Sequence, residues 1–168
     1  TAVAMRWIPA YVAIGSNLSD PAVQVELAFS RLAGLPDTRL VARSGLFRAR
    51  PMGPQDQPDF INAAAGLLTQ LPPTEFLAQL KSIEQAMGRT APAVRWGARL
   101  IDLDLVVYST LVTGTAQAGG LVLPHPGVHE RNFVLYPLAQ IAPDLWVPGR
   151  GHVAELARRV GSAGLQPL

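Results

Sequence analysis

Asp102 and Asp104 are the residues with the most chemistry to offer, and they stand in the stretch RWGARLIDLDLVV at 95–107. Residues two apart on a strand share a face, with alpha carbons about 6.6–6.8 Å apart, so both carboxylates can converge on one divalent cation or on a pair. Side by side they repel, whereas Mg2+ neutralises them and leaves coordination positions for phosphate oxygens. Read alone, the pair is equally the solvated face of a polar strand. Arg89, Arg95 and Arg99 lead into it. Their guanidinium groups can attract a polyphosphate and stabilise charge redistributed during phosphoryl transfer, or simply line a solvated loop. Trp96 supplies either a stacking surface for loop closure or an ordinary apolar anchor. Lys81 and Glu84, three apart, fall on neighbouring helical positions. They form a surface ion pair, or Glu84 orients ligand or metal-bound water while Lys81 meets a nucleotide. His125 sits in a proline-rich turn and Arg131 begins the segment after it, an arrangement suited to phosphate. Phe60 and Asn62 share a strand face, and Phe133 offers a second ring. Two rings can sandwich a flat heterocycle while an amide reads its edge, although core packing and local backbone bonding use the same residue types.

These side chains need elements to hold them. The apolar run 10–15 reads as a strand, followed by Asp20 as a cap and Pro21 as the first position of a helix. Val25, Leu27, Phe29 and Leu32 form its buried side, and Gly34 ends it. Residues 39–48 read as extended. Pro51, Gly53, Pro54 and Pro58 make 49–58 a mobile loop. A strand over 60–68 follows. The recurrence of Phe76, Leu80, Ile83 and Met87 then marks a helix through Met87, stopped by Gly88. Periodicity lapses over 89–99, a second mobile loop. It returns at 100–108, where Ile101, Leu103, Leu105 and Val107 alternate with the two acids. Helices are expected over 131–141, with Pro137 kinking or dividing it, and over 152–160. The expected architecture is an α+β sandwich, helices packed on a mainly antiparallel sheet.

The composition agrees with a single domain over 1–168 and narrows its partners. Of 168 residues, 49% are hydrophobic and 15% charged, enough to build a core and too little charge to keep the chain open. Apolar runs are interrupted well short of the roughly 20 residues a bilayer crossing needs. With no cysteine, disulfides, thiolate zinc sites and cysteine nucleophiles are excluded. Thirteen of the fourteen basic residues are arginine, yet the net charge is only +2. Discrete anions therefore fit better than a long polyanion such as nucleic acid. Residues 1–9 hold no sustained apolar segment, so no secretion signal is read and a cytoplasmic location is expected.

Five segments in order strongly resemble the 6-hydroxymethyl-7,8-dihydropterin pyrophosphokinase family of folate biosynthesis. They are AIGSNL at 13–18, GPQDQPDFINAA at 53–64, IEQAMGR at 83–89, RWGARLIDLDLV at 95–106 and LPHPGVHERNFVLYPL at 123–138. The resemblance implies a ferredoxin-like fold and transfer of a pyrophosphoryl unit from ATP to the pterin hydroxymethyl group, with release of AMP. It implies that Asp102 and Asp104 hold two Mg2+ ions, that Arg89 and Arg99 contact phosphate with Arg95 as a loop helper, and that Glu84, His125 and Arg131 belong to the nucleotide site. Asn62 becomes the reader of the pterin edge, Phe60 and Phe133 its sandwich, with Gly15, Ala49 and Met52 on the same side. The chain departs from the family pattern at Ala91 and Pro92, at Lys81, at Phe60 where some members carry tyrosine, and at Pro126. A monomer is expected. Two other readings of the residues stay open: a magnesium-dependent phosphohydrolase, and a nucleic-acid-binding module of the same broad fold.

Overall fold

The computed structural model describes residues 6–51, 53–88, 97–113 and 120–168. Its centre is an antiparallel sheet whose middle strands are β1 (Ile8–Ser16) and β4 (Phe60–Thr69). Beyond β1 lies β5 (Asp102–Tyr108); beyond β4 lie β2 (Thr38–Arg43) and β3 (Phe47–Ala49), which share its far edge. A last short strand, β8 (Leu165–Pro167), pairs with β3. Between them come the helices α1 (Pro21–Ala33) and α2 (Pro73–Ala86), giving β-α-β-β-α-β connectivity with β2 and β3 acting as one interrupted strand. This is the ferredoxin-like α+β arrangement. On the opposite face lie α3 (Asn132–Ile141) and α4 (Val153–Val160), with the two-stranded ribbon of β6 (Trp146–Val147) and β7 (Gly151–His152) between them in sequence. No described helix is long and apolar enough to cross a membrane.

Strand alternation divides the interior into two cores. Ala10, Val12 and Ile14 of β1, with Ala63, Ala65 and Leu67 of β4, meet Phe29 and Leu32 of α1 and Phe76 and Leu80 of α2. The opposite side chains, Ala13 and Ala64, meet Val134, Leu135 and Leu138 of α3 and Leu156 of α4. Small residues on this second face leave room for a ligand where α3 begins.

Several local expectations are corrected. Asp20 has left-handed backbone angles and makes no side-chain cap, so α1 starts on the preset φ of Pro21. Its buried stripe is Val25, Ala28, Phe29 and Leu32, the i, i+3, i+4, i+7 pattern, which leaves Leu27 exposed. The extended region 39–48 breaks at Ser44, whose Oγ accepts the Ala64 N–H at 2.8 Å, while Gly45 N–H donates to Gln140 Oε1 at 2.8 Å. Pro137 neither divides α3 nor ends it: one helix runs from Asn132 to Ile141 with the proline buried inside it.

Val107 also breaks the expected alternation. Val12 pairs with Leu105 and Tyr11 with Val107, so Val106 is an extra residue, a β-bulge. Leu103 and Leu105 face the α1/α2 core, both Val106 and Val107 enter the α3/α4 core, and Tyr108 returns to the first. The Tyr108 hydroxyl donates to the Leu71 carbonyl at 2.8 Å and fixes the far end of the strand.

Candidate active site

Register builds the site from three strands. Gly15 on β1 lies opposite Asn62 on β4 and Asp102 on β5, and Ala13 lies opposite Ala64 and Asp104. Asn62, Gly15 and Asp102 thus form a row across the sheet, with Phe60 and Asp104 on the same face two residues along their strands. A cavity of about 300 Å3 stands on this row. Phe133 and Arg131 wall it at the start of α3, Ala49 closes the β3 side, and Lys81, Arg99 and His125 gather at the acidic end.

Gly15 leaves little space for a side chain. A Cβ there would lie 3.0 Å from Asn62 Oδ1 and 3.8 Å from Phe60 Cδ1. The Asn62 amide leans over this bare backbone, 6% exposed, and its buried Nδ2 has no hydrogen-bond partner among the described residues. A buried donor left unmatched costs about 1–3 kcal/mol, which a ligand acceptor in the cavity recovers.

At the other end charge is crowded. Burial, then the neighbouring Asp102 and Glu84 carboxylates, push Asp104 up to about 7, against the opposing influence of Arg131 and Lys81. Arg99 Nη1 lies 3.7 Å from Asp102 Oδ2, and His125 Nε2 lies 4.0 Å from Asp104 Oδ2. Burial and the nearby Arg131 hold His125 below its usual range, outweighing the opposite pull of Asp102. Its Nδ1 accepts the Gly127 N–H at 3.1 Å, so the neutral ring carries its proton on Nε2 and offers a donor toward the acids. An adjoining cleft of about 230 Å3, walled by Leu77, Leu121, Val122 and Pro126, shares Lys81, Asp104 and His125 with the main cavity.

Glu84 does not stand at the surface, as an exposed ion pair would. It is buried, 2% exposed, and its Oε2 accepts the Leu103 N–H at 2.7 Å. Leu103 stands between the two acids on β5, whose outer edge no strand covers among the described residues, so Glu84 holds that edge from α2 and acts on the site through the strand and through its charge. Arg89, Arg95, Trp96 and Met52 lie outside the described residues.

Asn17, Arg50 and Val134 had not been singled out as site residues. Asn17 is 1% exposed; its Nδ2 donates to Gln57 Oε1 and the Pro58 carbonyl at 3.0 and 2.9 Å, and its Oδ1 accepts the Arg99 N–H at 2.7 Å. Asn17 N–H in turn donates to the Arg99 carbonyl at 3.0 Å. One amide therefore ties the segment before Phe60 to the backbone of Arg99. Arg50 and Val134 line the cavity beside expected neighbours, and only their adjacency to Ala49 and Phe133 could have marked them.

Among the described residues no cluster of three or more His, Cys, Asp or Glu side chains is placed to hold a metal ion. The donor set is two hard carboxylates, which leaves the remaining coordination to ligand oxygens and water.

Residues 11–143 match the model of the family described as 7,8-dihydro-6-hydroxymethylpterin-pyrophosphokinase (HPPK). The chain belongs to this family. Two HPPK relatives span nearly the whole chain, each named 2-amino-4-hydroxy-6-hydroxymethyldihydropteridine pyrophosphokinase. The Haemophilus influenzae protein is 40% identical over 152 residues, covering 90% of this chain and 92% of its own length. The Pseudomonas aeruginosa protein is 42% identical over 158 residues, covering 94% and 95%. Among solved structures, a triple-mutant Plasmodium falciparum HPPK-DHPS with SDX-DHP superposes with a TM-score of 0.72 at 12% identity, covering 92% of this chain and 44% of that one. The wild-type P. falciparum HPPK-DHPS with pteroate gives 0.69 at 12% identity, covering 95% and 43%. At that identity the likeness concerns the HPPK fold, and this chain spans less than half of either solved chain.

Proposed function

We propose that this HPPK transfers the pyrophosphoryl group of ATP to the hydroxymethyl group of 6-hydroxymethyl-7,8-dihydropterin, releasing AMP, a step of folate biosynthesis. The observation that carries the reading is the row across the sheet: an unmatched amide donor at Asn62, with the ring of Phe60 beside it, lies across β1 from Asp102, two strands away in the same cavity. A flat heterocycle held between Phe60 and Phe133 and read by Asn62 has its alcohol pointing toward the acidic end. Lys81, Arg99, His125 and Arg131 are the described donors for the triphosphate there.

Asp102 and Asp104 fit Mg2+, as two hard oxygen donors, one of which is raised by burial and then by the charge of the other. The family resemblance makes the number two ions. Bound there, Mg2+ supplies charge that offsets the triphosphate and aligns donor with acceptor. The chain's own residues do the rest. The rings and Asn62 orient the alcohol, and the cationic side chains stabilise charge as the alcohol oxygen bonds to the β-phosphorus. The bond from that phosphorus to the oxygen bridging the α-phosphate breaks, and AMP leaves with the oxygen. The alcohol proton leaves late, as expected of a loose phosphoryl transfer, and no described side chain is assigned as its base.

Incubating the protein with ATP, Mg2+ and the pterin alcohol yields AMP and pterin pyrophosphate in equal amounts. Nucleotide hydrolysis with unmodified pterin would instead identify a phosphohydrolase. For the stacking assignment, Phe60→Ala weakens pterin binding about fivefold, equivalent to about 1 kcal/mol of lost aromatic contact. Titration calorimetry on the folded variant reads this directly, and wild-type affinity would remove Phe60 from the pterin site.

A further inference from the structure

We infer that Gly127 is a positioning residue for Arg131: the missing side chain at 127 is what allows the guanidinium to lie at the phosphate end of the cavity. The backbone gives glycine no other reason to be there. Gly127 has φ −99° and ψ 1°, angles open to any L-residue. A Cβ on it, however, would lie 2.7 Å from Arg131 Nε, 2.8 Å from Cζ and 3.1 Å from Nη2. All three atoms belong to the guanidinium, so the planar group rests flat against the bare face of residue 127.

The backbone on both sides of this contact is fixed. Gly127 N–H donates to His125 Nδ1 at 3.1 Å, Val128 N–H to the His125 carbonyl at 3.2 Å, and Glu130 N–H to the Gly127 carbonyl at 3.2 Å. The Arg131 carbonyl accepts the N–H groups of Val134 and Leu135 at 3.1 and 3.0 Å, anchoring it to α3. A methyl at 127 therefore displaces the far end of the Arg131 side chain rather than the backbone. The same glycine sets two donors at once, His125 through its N–H and Arg131 through its empty side. Nothing in the spacing of PHPGVHER reveals this, because a glycine in a proline-rich turn is ordinarily read as a backbone device.

The inference rests on the proposed reading that Arg131 meets the ATP triphosphate, and a mutant cycle separates the two. Affinity for Mg2+ and α,β-methylene ATP is measured by calorimetry for wild type, Gly127→Ala, Arg131→Ala and the double variant, with thermal melting of each. Gly127→Ala is expected to bind the analogue about tenfold more weakly, with unchanged pterin affinity and a melting temperature at or slightly above wild type, as replacing glycine at compatible angles does. The double variant is expected to bind no more weakly than Arg131→Ala, since a displaced guanidinium and an absent one lose the same contact. In an Arg131→Lys background, which lacks the guanidinium plane, Gly127→Ala is expected to cost less than twofold. Wild-type affinity in Gly127→Ala beside a weakened Arg131→Ala would overturn the positioning role, as would losses that multiply in the double variant or a Gly127→Ala protein that melts well below wild type. Wild-type affinity in Arg131→Ala would overturn the reading of Arg131 itself.

Discussion

Asp104→Asn lowers turnover at least about a thousandfold, Asp102→Asn does the same, and the metal-free Asp104→Asn protein melts higher than wild type. A thousandfold corresponds to about 4 kcal/mol of barrier, the several kcal/mol expected when the charge that organises a metal–phosphate contact is removed. Asparagine keeps the size of the side chain but is a neutral, weak donor. The stability effect has the opposite sign because Asp104 is raised from 3.8 to about 7. A carboxyl raised on folding carries no penalty below about pH 4. Its penalty grows as pH rises toward 7 and is complete above it. In chelator at pH 8 the neutral amide escapes that cost. The carboxylate is enclosed by protein on most sides, yet more than one-third of its side chain opens onto the cavity, so solvent screens much of the penalty. A gain of about 1 kcal/mol, roughly 2–4 °C in melting temperature, is the expected size. AMP release and thermal melts in EDTA at pH 5 and pH 8 read both effects. A folded Asp104→Asn enzyme turning over at the wild-type rate, or one melting lower than wild type at pH 8, would show that the acid is not held against its own charge for a metal.

Gly15→Val reduces pterin affinity by about a hundredfold with little change in stability. The first added carbon already meets Asn62 Oδ1 at 3.0 Å, and two further methyls extend into the cavity at the centre of the row. The amide must turn away, leaving a ligand polar edge unmatched at about 1–3 kcal/mol, before any overlap with the ring is counted. Valine suits a strand, and this one points into the cavity rather than into packed core, so the sheet keeps its register. Gly15→Ala falls between wild type and valine. Calorimetry with the pterin alcohol, alongside circular dichroism, decides: undiminished affinity in Gly15→Val would mean that the ligand does not lie over β1.

The acids, and the ring of Phe60 with the amide of Asn62, are legible because both pairs repeat at a period of two on strands that form as read. Asp102 with Asp104, and Phe60 with Asn62, needed only alternation to share a face. What alternation cannot supply is which strands adjoin. Gly15 meets Asn62 through β1–β4 pairing at a distance of 47 positions, and only that pairing turns four separate candidates into one cavity floor. The burial of Glu84 is hidden for the same reason: a glutamate three residues after a lysine reads as a surface pair until the sheet brings β5 beside it. Leu27 and Asp20 show the limit at short range, where one residue more or less around a helix turn changes burial, and where Pro21 alone suffices to start the helix. The role of Gly127 was illegible in principle, since it consists of room left for a side chain four residues away.

The bulge at Val106 gives β5 the mechanics of a cantilever. Its root, Val106 to Tyr108, is clamped from above and below, while its tip carries Asp102 and Asp104 into the open cavity. Removing one residue between the two would absorb the bulge and leave both acids facing the cavity, whereas adding one with no further bulge to take it up would turn both acids toward the helices beneath the sheet. The number of residues along this beam therefore matters as well as their identity, and an insertion that respects the motif but not the count is expected to yield folded, inert protein.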